Sequence, residues 1–216
     1  YKITREEITL IREFLRESSI SILDIPRSLV GVELRYQKRS TNYFDSKIYK
    51  IRPGVINNKV PLCLKIVNDQ QNLLYSNHYR RNKHKILFEF QSSYTPDFVD
   101  YLEARDCFAV LTTWLKGESL EFKLRERKII KTEAISIAAH SLNFLKALSS
   151  QGWVHGDIWE RNILIYNDCP YFTDFCNSTK LSDKTSMSFL SSADFKGLFA
   201  DDSKSIVRLM KLLQID

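Results

Sequence analysis

The stretch WVHGDIWERNILI at Trp153–Ile165, with TDF at Thr173–Phe175 behind it, decides the fold of this chain. In these two segments, apolar runs surround one histidine, two aspartates and one asparagine, which are His155, Asp157, Asp174 and Asn162. Short apolar runs bounded by turn residues are typical of buried strands, and Asn167–Pro170 is such a turn. The pattern therefore predicts a hairpin of two short strands, over NILIY and YFTDF, that positions the polar side chains.

The composition indicates a folded chain with a hydrophobic core. The 216 residues include 44% hydrophobic and 12% aromatic residues, enough for one domain or two small lobes. The net charge of +6 is spread along the chain, which favours a solvated basic surface over nucleic-acid binding. No apolar run reaches the ~18 residues that span a membrane. The N-terminus is not a signal peptide, so a cytoplasmic location is expected, and secretion after removal of an upstream segment stays open.

The cysteines do not point to a metal site. Their spacing matches no zinc pattern and contains no C-x-x-C, the four being Cys63, Cys107, Cys169 and Cys176. Two of them, Cys63 and Cys107, lie within apolar runs, which predicts buried thiols. The even number leaves disulfides open.

The N-terminal half predicts one helix, then five strands with a second helix inserted. Thr4 and Glu7 form a capping box, and the apolar spacing that follows predicts a helix over 4–18. Apolar runs separated by turn residues predict strands at 29–37, 46–52, 60–67, 98–105 and 107–115. The stretch 70–91 contains neither proline nor glycine and predicts the inserted helix.

The C-terminal half is mostly helical in pattern. Residues 132–150 predict an amphipathic helix with an apolar face of Ile135, Ala138, Leu142, Leu145 and Leu148. Gly152 stands where a helix-terminating glycine is expected. A last helix is predicted over 202–214, with a face of Ile206, Leu209, Met210 and Leu213. A strand-rich half followed by a helix-rich half predicts an α+β fold of two unequal lobes.

The polar residues of the opening stretch meet the requirements of phosphoryl transfer from ATP. This reaction needs a carboxylate beside the attacking hydroxyl, oxygen ligands for Mg²⁺ and a cation on the phosphates. Asp157 and Asn162 supply a carboxylate and an amide oxygen from one loop. Asp174 supplies a second carboxylate from the far side of the predicted hairpin, so the three form a candidate catalytic and metal site.

These residues resemble the protein-kinase superfamily. HGDIWERN at 155–162 resembles the catalytic loop H-R-D-x-x-x-x-N, and TDFC at 173–176 resembles the metal-binding D-F-G. LCLKIV at 62–67 resembles the strand that carries the ATP-binding lysine, which is Lys65 here. CFAVLTTWLKGESL at 107–120 resembles the last small-lobe strand and the hinge. These four segments occur in the family's order and at similar intervals.

The resemblance, over about residues 29–214, implies a two-lobed kinase-like fold and an ATP- and Mg²⁺-dependent phosphotransferase. A small lobe of about five antiparallel strands and one helix is expected over 29–115. A reduced, mostly helical large lobe is expected over 116–216, and residues 1–28 are expected to form a helical extension.

The resemblance also implies a role for individual residues. Asp157 would be the catalytic carboxylate, Lys65 would act on the phosphates, and Asn162 and Asp174 would bind the metal. Leu111 would be the gatekeeper, and Asp202 would brace the catalytic loop. Nucleotide contacts are implied for Lys65, Ser40, Thr41, Asn42, Thr112, Trp114 and Glu89, the last as the only acidic residue between Gln70 and Pro96 that is available to pair with Lys65.

Departures from the family pattern leave two functions open. The tip of the first hairpin, QKRSTNYFDS at 37–46, has no glycine, and Cys176 replaces the glycine of D-F-G. Gly156 replaces the arginine that reads a phosphorylated activation loop, and the chain ends soon after the last helix, which together suggest a minimal non-RD kinase. The first hypothesis is a kinase for hydroxyl groups, protein Ser/Thr preferred over a small molecule. The alternative is a pseudokinase that acts as a binding or scaffold module, with a secreted effector as a further variant.

Two further residues of the loop have expected roles. His155 is expected to position the loop through hydrogen bonds rather than to transfer protons. Trp159 stands where protein Ser/Thr kinases usually have lysine, two residues after the catalytic aspartate. A substrate contact and a structural role are equally open for Trp159.

Overall fold

The chain divides into two compact units. A computed structural model describes Glu13 and residues 33–37, 45–56, 58–68, 86–90, 92–103, 107–175, 178–180 and 202–215. Unit 1 comprises Tyr1–Asn77 and Asp97–Trp114, and unit 2 comprises His78–Pro96 and Leu115–Asp216. Residues 78–96, expected in the first lobe, thus group with unit 2, and the predicted domain limits stay predictions. The helix predicted at 4–18 lies outside the described residues except for Glu13, which is helical.

Unit 1 is built on a five-stranded antiparallel sheet, as predicted. Its strands are β1 (Glu33–Gln37), β2 (Asp45–Ile51), β3 (Leu62–Asn68), β4 (Phe98–Glu103) and β5 (Cys107–Thr113). The spatial order is β1-β2-β3-β5-β4, and each neighbouring pair is antiparallel. The strand β3 is therefore central.

The turn between β2 and β3 depends on a glycine and on a buried asparagine. Gly54 has a φ of +82°, which a residue without Cβ adopts at no steric cost, and its amide donates to the Asn58 carbonyl at 2.6 Å. The Asn58 side chain, only 2% exposed, donates to the carbonyls of Arg52 and Val60 at 3.0 and 2.7 Å. These bonds satisfy the buried Asn58 amide and hold the turn from which β3 enters the sheet.

Unit 2 is mostly helical, with short strands around its loops. Its elements are β6 (Glu118–Ser119), α1 (Leu120–Arg125), α2 (Lys131–Ser150), β7 (Trp153–Val154), a 3₁₀ turn (Glu160–Asn162), β8 (Ile163–Tyr166), β9 (Cys169–Phe172), β10 (Thr179–Lys180) and α3 (Asp202–Leu212). Residues 86–89 are helical within the stretch predicted as the inserted helix. Among the described helices, none is both long and apolar enough to cross a bilayer.

The hairpin predicted from the opening stretch is confirmed. Strands β8 and β9 pair antiparallel from Ile163 opposite Phe172 to Tyr166 opposite Cys169, and β6 pairs with the other edge of β8. The turn residues Asn167 and Asp168 have φ values of +50° and +57°, the left-handed conformation that a two-residue hairpin turn requires and that Asn and Asp tolerate.

The predicted apolar face of α2 is wrong in part. Ile135 and Leu142 are 51% and 48% exposed, and Leu145 is only half-buried, whereas Ala138 and Leu148 are buried as expected. The buried face is rotated toward Ala134, Ile137, Ala138, Ser141, Phe144 and Leu148. The aromatic core decides this rotation, since the Phe144 and Phe172 rings stack at 3.8 Å with an interplanar angle of 5°.

Helix ends in unit 2 follow the predicted signals. Gly152 has a φ of +71°, and its amide donates to the Ser149 carbonyl at 2.9 Å at the end of α2, which confirms its predicted place.

Helix α3 buries Ile206 and Leu209, and Leu213 directly beyond it, as predicted, while Met210 is half-buried. It also buries residues that the apolar pattern does not include, Asp202 and Ser205.

Candidate active site

The loop between β7 and β8 is held to the first turn of α3. The backbone amides of His155 and Gly156 donate to the two carboxylate oxygens of Asp202 at 2.6 and 3.0 Å. Asp202 is 6% exposed, so both bonds form away from water. Gly156 has a φ of +74°, a conformation that favours glycine and brings its amide to this carboxylate. The structure confirms that Asp202 braces the loop.

His155 has a structural position. Its side chain is fully buried, with ring centroids of Phe175, Phe144 and Phe172 at 4.5, 6.1 and 6.5 Å. Its Nδ1 accepts a hydrogen bond from the Asp157 amide at 3.2 Å, and its carbonyl accepts one from Ser178 Oγ at 3.0 Å. An accepting Nδ1 carries no proton, so the ring stabilises the loop as a hydrogen-bond acceptor.

Asp157 and Asn162 form a buried pair with a defined orientation. The Asn162 Nδ2 group donates to the Asp157 carbonyl at 2.9 Å and to Asp157 Oδ2 at 2.8 Å. Both acceptors can only accept, so the NH₂ end of the amide must face Asp157, and the amide oxygen must face the other way. No described residue donates a hydrogen bond to Asn162 Oδ1. This oxygen is available to a cation.

Asp174 follows the strand that pairs with the start of β8. The amide and the hydroxyl of Thr173 donate to the Asn162 carbonyl at 2.9 and 3.0 Å, which ties the two ends of the hairpin together. Asp174 then has a φ of +65°, a left-handed conformation that costs a non-glycine residue about 1–3 kcal/mol and is found preferentially at functional sites. The hairpin thus brings both predicted metal-binding residues to one end of β8 and β9.

The oxygen set at this end fits a hard divalent cation. An amide oxygen and a carboxylate are ligands of the type that Mg²⁺ prefers. Across the described part of the chain there is no group of three or more His, Cys, Asp or Glu residues that would hold a metal without help. Mg²⁺ commonly keeps waters and takes substrate phosphates as further ligands, so a two-ligand protein site suits it.

The predicted nucleotide residues of unit 1 lie on its central strands. Lys65 is a half-buried residue of β3, opposite Ile48 on β2 and Val110 on β5. Trp114 follows β5, and its amide donates to the Pro61 carbonyl at 2.9 Å, which extends the β3–β5 ladder by one step. The Trp114 amide is therefore already hydrogen-bonded within unit 1.

Thr112 and Leu111 belong to the strand itself. The structure places both in β5, opposite Cys63 and Leu64, with Leu111 1% exposed and Thr112 half-buried. The Thr112 hydroxyl donates to the Thr113 carbonyl at 3.4 Å. The strand thus continues to Thr113, past the predicted gatekeeper.

Glu89 has a partner within unit 2. Its carboxylate accepts from Lys180 Nζ at 2.7 Å, and the two side chains are 38% and 37% exposed. The pairing with Lys65 that the resemblance implies stays a prediction. The implied nucleotide contacts of the first hairpin, together with the replaced D-F-G glycine, lie outside the described residues: Ser40, Thr41, Asn42 and Cys176.

Helix α3 makes a second contact with the loop, which the sequence did not predict. Arg208 donates to both carboxylate oxygens of Glu160 at 2.8 and 3.0 Å, and its guanidinium lies 4.2 Å from the centroid of the Trp159 ring. Arg161 lies beside the same ring, with its guanidinium 5.6 Å from the centroid. The helical spacing from Asp202 to Arg208 carries no signal of this contact, because the partners are 48 residues apart in sequence.

The fold and the site define a protein-kinase-like protein. The five-stranded antiparallel sheet of unit 1 and the loop, hairpin and bracing helix of unit 2 are the parts that the sequence predicted for this superfamily. A family model described as the RIO domain matches residues 108–203, from β5 to the first turn of α3. RIO kinases are an atypical kinase family of the protein-kinase-like superfamily, so the match confirms the predicted superfamily. No curated protein shows a significant match to the chain.

Proposed function

We propose that this protein is an atypical kinase that transfers the γ-phosphate of ATP to a hydroxyl group. The RIO-domain match supports a phosphotransferase at the family level. The observation that carries the proposal is the orientation of Asn162, whose NH₂ group is bound to Asp157 and whose amide oxygen is left for a cation. Asp157 fixes this orientation through its two acceptors, and it is the orientation that a metal-binding amide oxygen requires.

The residues of the site would divide the work as follows. Asp157 would orient the acceptor hydroxyl and accept its proton. Asn162 Oδ1 and the Asp174 carboxylate would hold Mg²⁺, which when bound neutralises charge on the phosphates of ATP. Lys65 would bind the phosphates, with Ser40, Thr41 and Asn42 of the first hairpin contributing hydroxyl groups and amides.

Two details of the family pattern are adapted in this chain. Because the Trp114 amide already donates to the Pro61 carbonyl, the proposed backbone contact of Thr112–Trp114 with adenine would use another group of this segment. Gly156 provides no arginine for an activation-loop phosphate, so activity without such phosphorylation is proposed. Protein serine or threonine is the preferred acceptor over a small molecule, and the cytoplasmic location stays a prediction.

The test compares isosteric replacements of aspartate by asparagine. Asp157→Asn should reduce the transfer of labelled phosphate from ATP, to the protein itself or to added proteins, by roughly 10²- to 10⁴-fold because the proton acceptor is lost. Asp168→Asn is the matched control, since this exposed turn residue has a left-handed φ that asparagine also tolerates. Full transfer by Asp157→Asn, or equal loss in the control, would contradict the proposal.

A pseudokinase is the second candidate, favoured by the glycine-free hairpin tip and by Cys176. A binding module of this kind would interact weakly with ATP and Mg²⁺. A rise in Tm with ATP and Mg²⁺ that is absent in Lys65→Ala and in Asp174→Asn would argue against it, because ligand binding to the folded state stabilises that state.

A further inference from the structure

The outer half of the catalytic loop presents two large side chains at the surface beside Asp157. Trp159 is 41% exposed, and the Arg161 side chain is 45% exposed. Arg161 Nη2 lies 3.9 Å from Asp157 Oδ1, the oxygen that does not accept from Asn162. An acceptor group bound at this oxygen would therefore lie next to Arg161.

The charges at this surface leave one cation uncompensated by hydrogen bonds. Glu160 and Arg208 neutralise each other through two bonds of 2.8 and 3.0 Å. The guanidinium of Arg161, by contrast, donates no hydrogen bond to any residue that the structure describes, and its ion pair with Asp157 is longer than a hydrogen bond. Because the Arg161 side chain is 45% exposed and its ion pair with Asp157 spans 3.9 Å, Arg161 can turn to a ligand at small cost.

The Trp159 ring is held in place while much of it stays exposed. The Arg208 guanidinium stacks on it at 4.2 Å, and Arg208 is itself fixed by Glu160. A ring that is already positioned loses little conformational entropy when a partner binds. Tryptophan and arginine are also the residues that most often dominate binding energy at interfaces.

We propose that Trp159 and Arg161 form the acceptor subsite and select a serine or threonine hydroxyl flanked by carboxylates, as in an acidic peptide segment. The proposal rests on the proposed function for the role of Asp157. Arg161 can bind a carboxylate through two parallel hydrogen bonds, and the Trp159 ring offers a flat apolar surface to the peptide chain. Lysine or arginine beside the hydroxyl would be repelled by the positive charge of Arg161. A nucleic acid is less well matched, since its binding draws on several cations and Arg208 is already neutralised.

The experiment measures peptide binding without catalysis. Three fluorescent peptides carry alanine in place of the acceptor serine and differ only in flanking glutamate, glutamine or lysine. Fluorescence anisotropy should show the glutamate peptide binding wild type about tenfold more tightly than the glutamine peptide, a preference that weakens in high salt. Arg161→Gln should remove the preference, Arg161→Glu should transfer it to the lysine peptide, and Trp159→Ala should weaken all three complexes.

A matched control removes the same charge elsewhere. Arg125→Gln, at a side chain 71% exposed on α1, should leave all three affinities unchanged. Equal affinity of wild type for the glutamate and glutamine peptides, or binding to none, would overturn the proposal. Tighter binding of single-stranded RNA that depends on Arg161 would overturn it in favour of a nucleic-acid site.

A parallel transfer assay separates this inference from the proposed function. The same peptides with serine restored are incubated with labelled ATP. Selective binding of the glutamate peptide without any transfer would refute the kinase and support the subsite. Transfer to all three peptides at the same kcat/KM would support the kinase and refute the subsite.

Discussion

The two halves of the catalytic loop are held by the same helix in different ways. The inner half, His155–Asp157, is buried, and the amides of His155 and Gly156 donate to Asp202 at the start of α3. The outer half, Trp159–Arg161, is largely exposed and is held by Arg208 through side-chain contacts alone. Buried backbone bonds restrict the half that contains Asp157, the proposed catalytic residue, whereas side-chain contacts at the surface leave the half with the proposed acceptor subsite able to adapt.

The difference follows from the cost of moving each half. Displacing the inner half would leave buried amides and the Asp202 carboxylate without partners, which costs about 1–3 kcal/mol for each group. Displacing the outer half exchanges a part-buried ion pair and a cation–π contact at the surface for water, which costs about 1 kcal/mol. Catalytic groups need fixed positions, and a recognition surface can tolerate small movements.

The largest expected effect concerns the aromatic core behind the inner half. Phe144→Ala should lower the free energy of unfolding by about 3–5 kcal/mol, because its fully buried ring stacks on Phe172 and faces His155. Leu142→Ala, at a half-exposed position of the same helix, should cost about 1 kcal/mol or less. Urea denaturation measures the loss of stability in both variants. A loss in Leu142→Ala as large as that in Phe144→Ala would mean that Leu142 is buried, as the sequence predicted.

An intermediate effect is expected at the brace of the inner half. Asp202→Asn keeps one acceptor oxygen and turns the other into a donor, so one of the His155 and Gly156 amides loses its partner. We expect a loss of about 1–3 kcal/mol in stability and faster hydrogen exchange at these two amides. Lys204→Gln, at an exposed position of α3, is the control and should change neither. Unchanged hydrogen exchange at the His155 and Gly156 amides in Asp202→Asn would show that this carboxylate does not restrict the inner half of the loop.

The smallest effect is expected at the brace of the outer half. Arg208→Gln removes the bonds to Glu160 and the stack on Trp159, yet it should cost only about 1 kcal/mol, since the Arg208 side chain is 39% exposed. The fluorescence of Trp159 should change while exchange at the His155 amide does not. Lys211→Gln, farther along α3 and exposed, should leave both signals unaltered. A rise in His155 exchange equal to that of Asp202→Asn would show that the two halves move together.

Local sequence patterns predicted most of the fold. The five strands of unit 1, the β8–β9 hairpin and the helix-ending Gly152 follow from alternation, turn residues and a glycine, which act over a few residues. The rotation of α2 did not follow, because this helix carries apolar side chains on more than one side. Only the stack of Phe144 on Phe172, a contact between distant segments, selects the buried face.

The sequence by itself determined which residues form the candidate site, since Asp157, Asn162 and Asp174 stand at intervals that a loop and a hairpin impose. The resemblance to kinases added Asp202. The tertiary structure alone decided how Asn162 is oriented and that Arg208 reaches Glu160 and Trp159 across 48 residues of chain. The physical reason is one of range: periodicity and turn chemistry act between near neighbours, whereas these contacts exist only once packing has brought α3 against the loop.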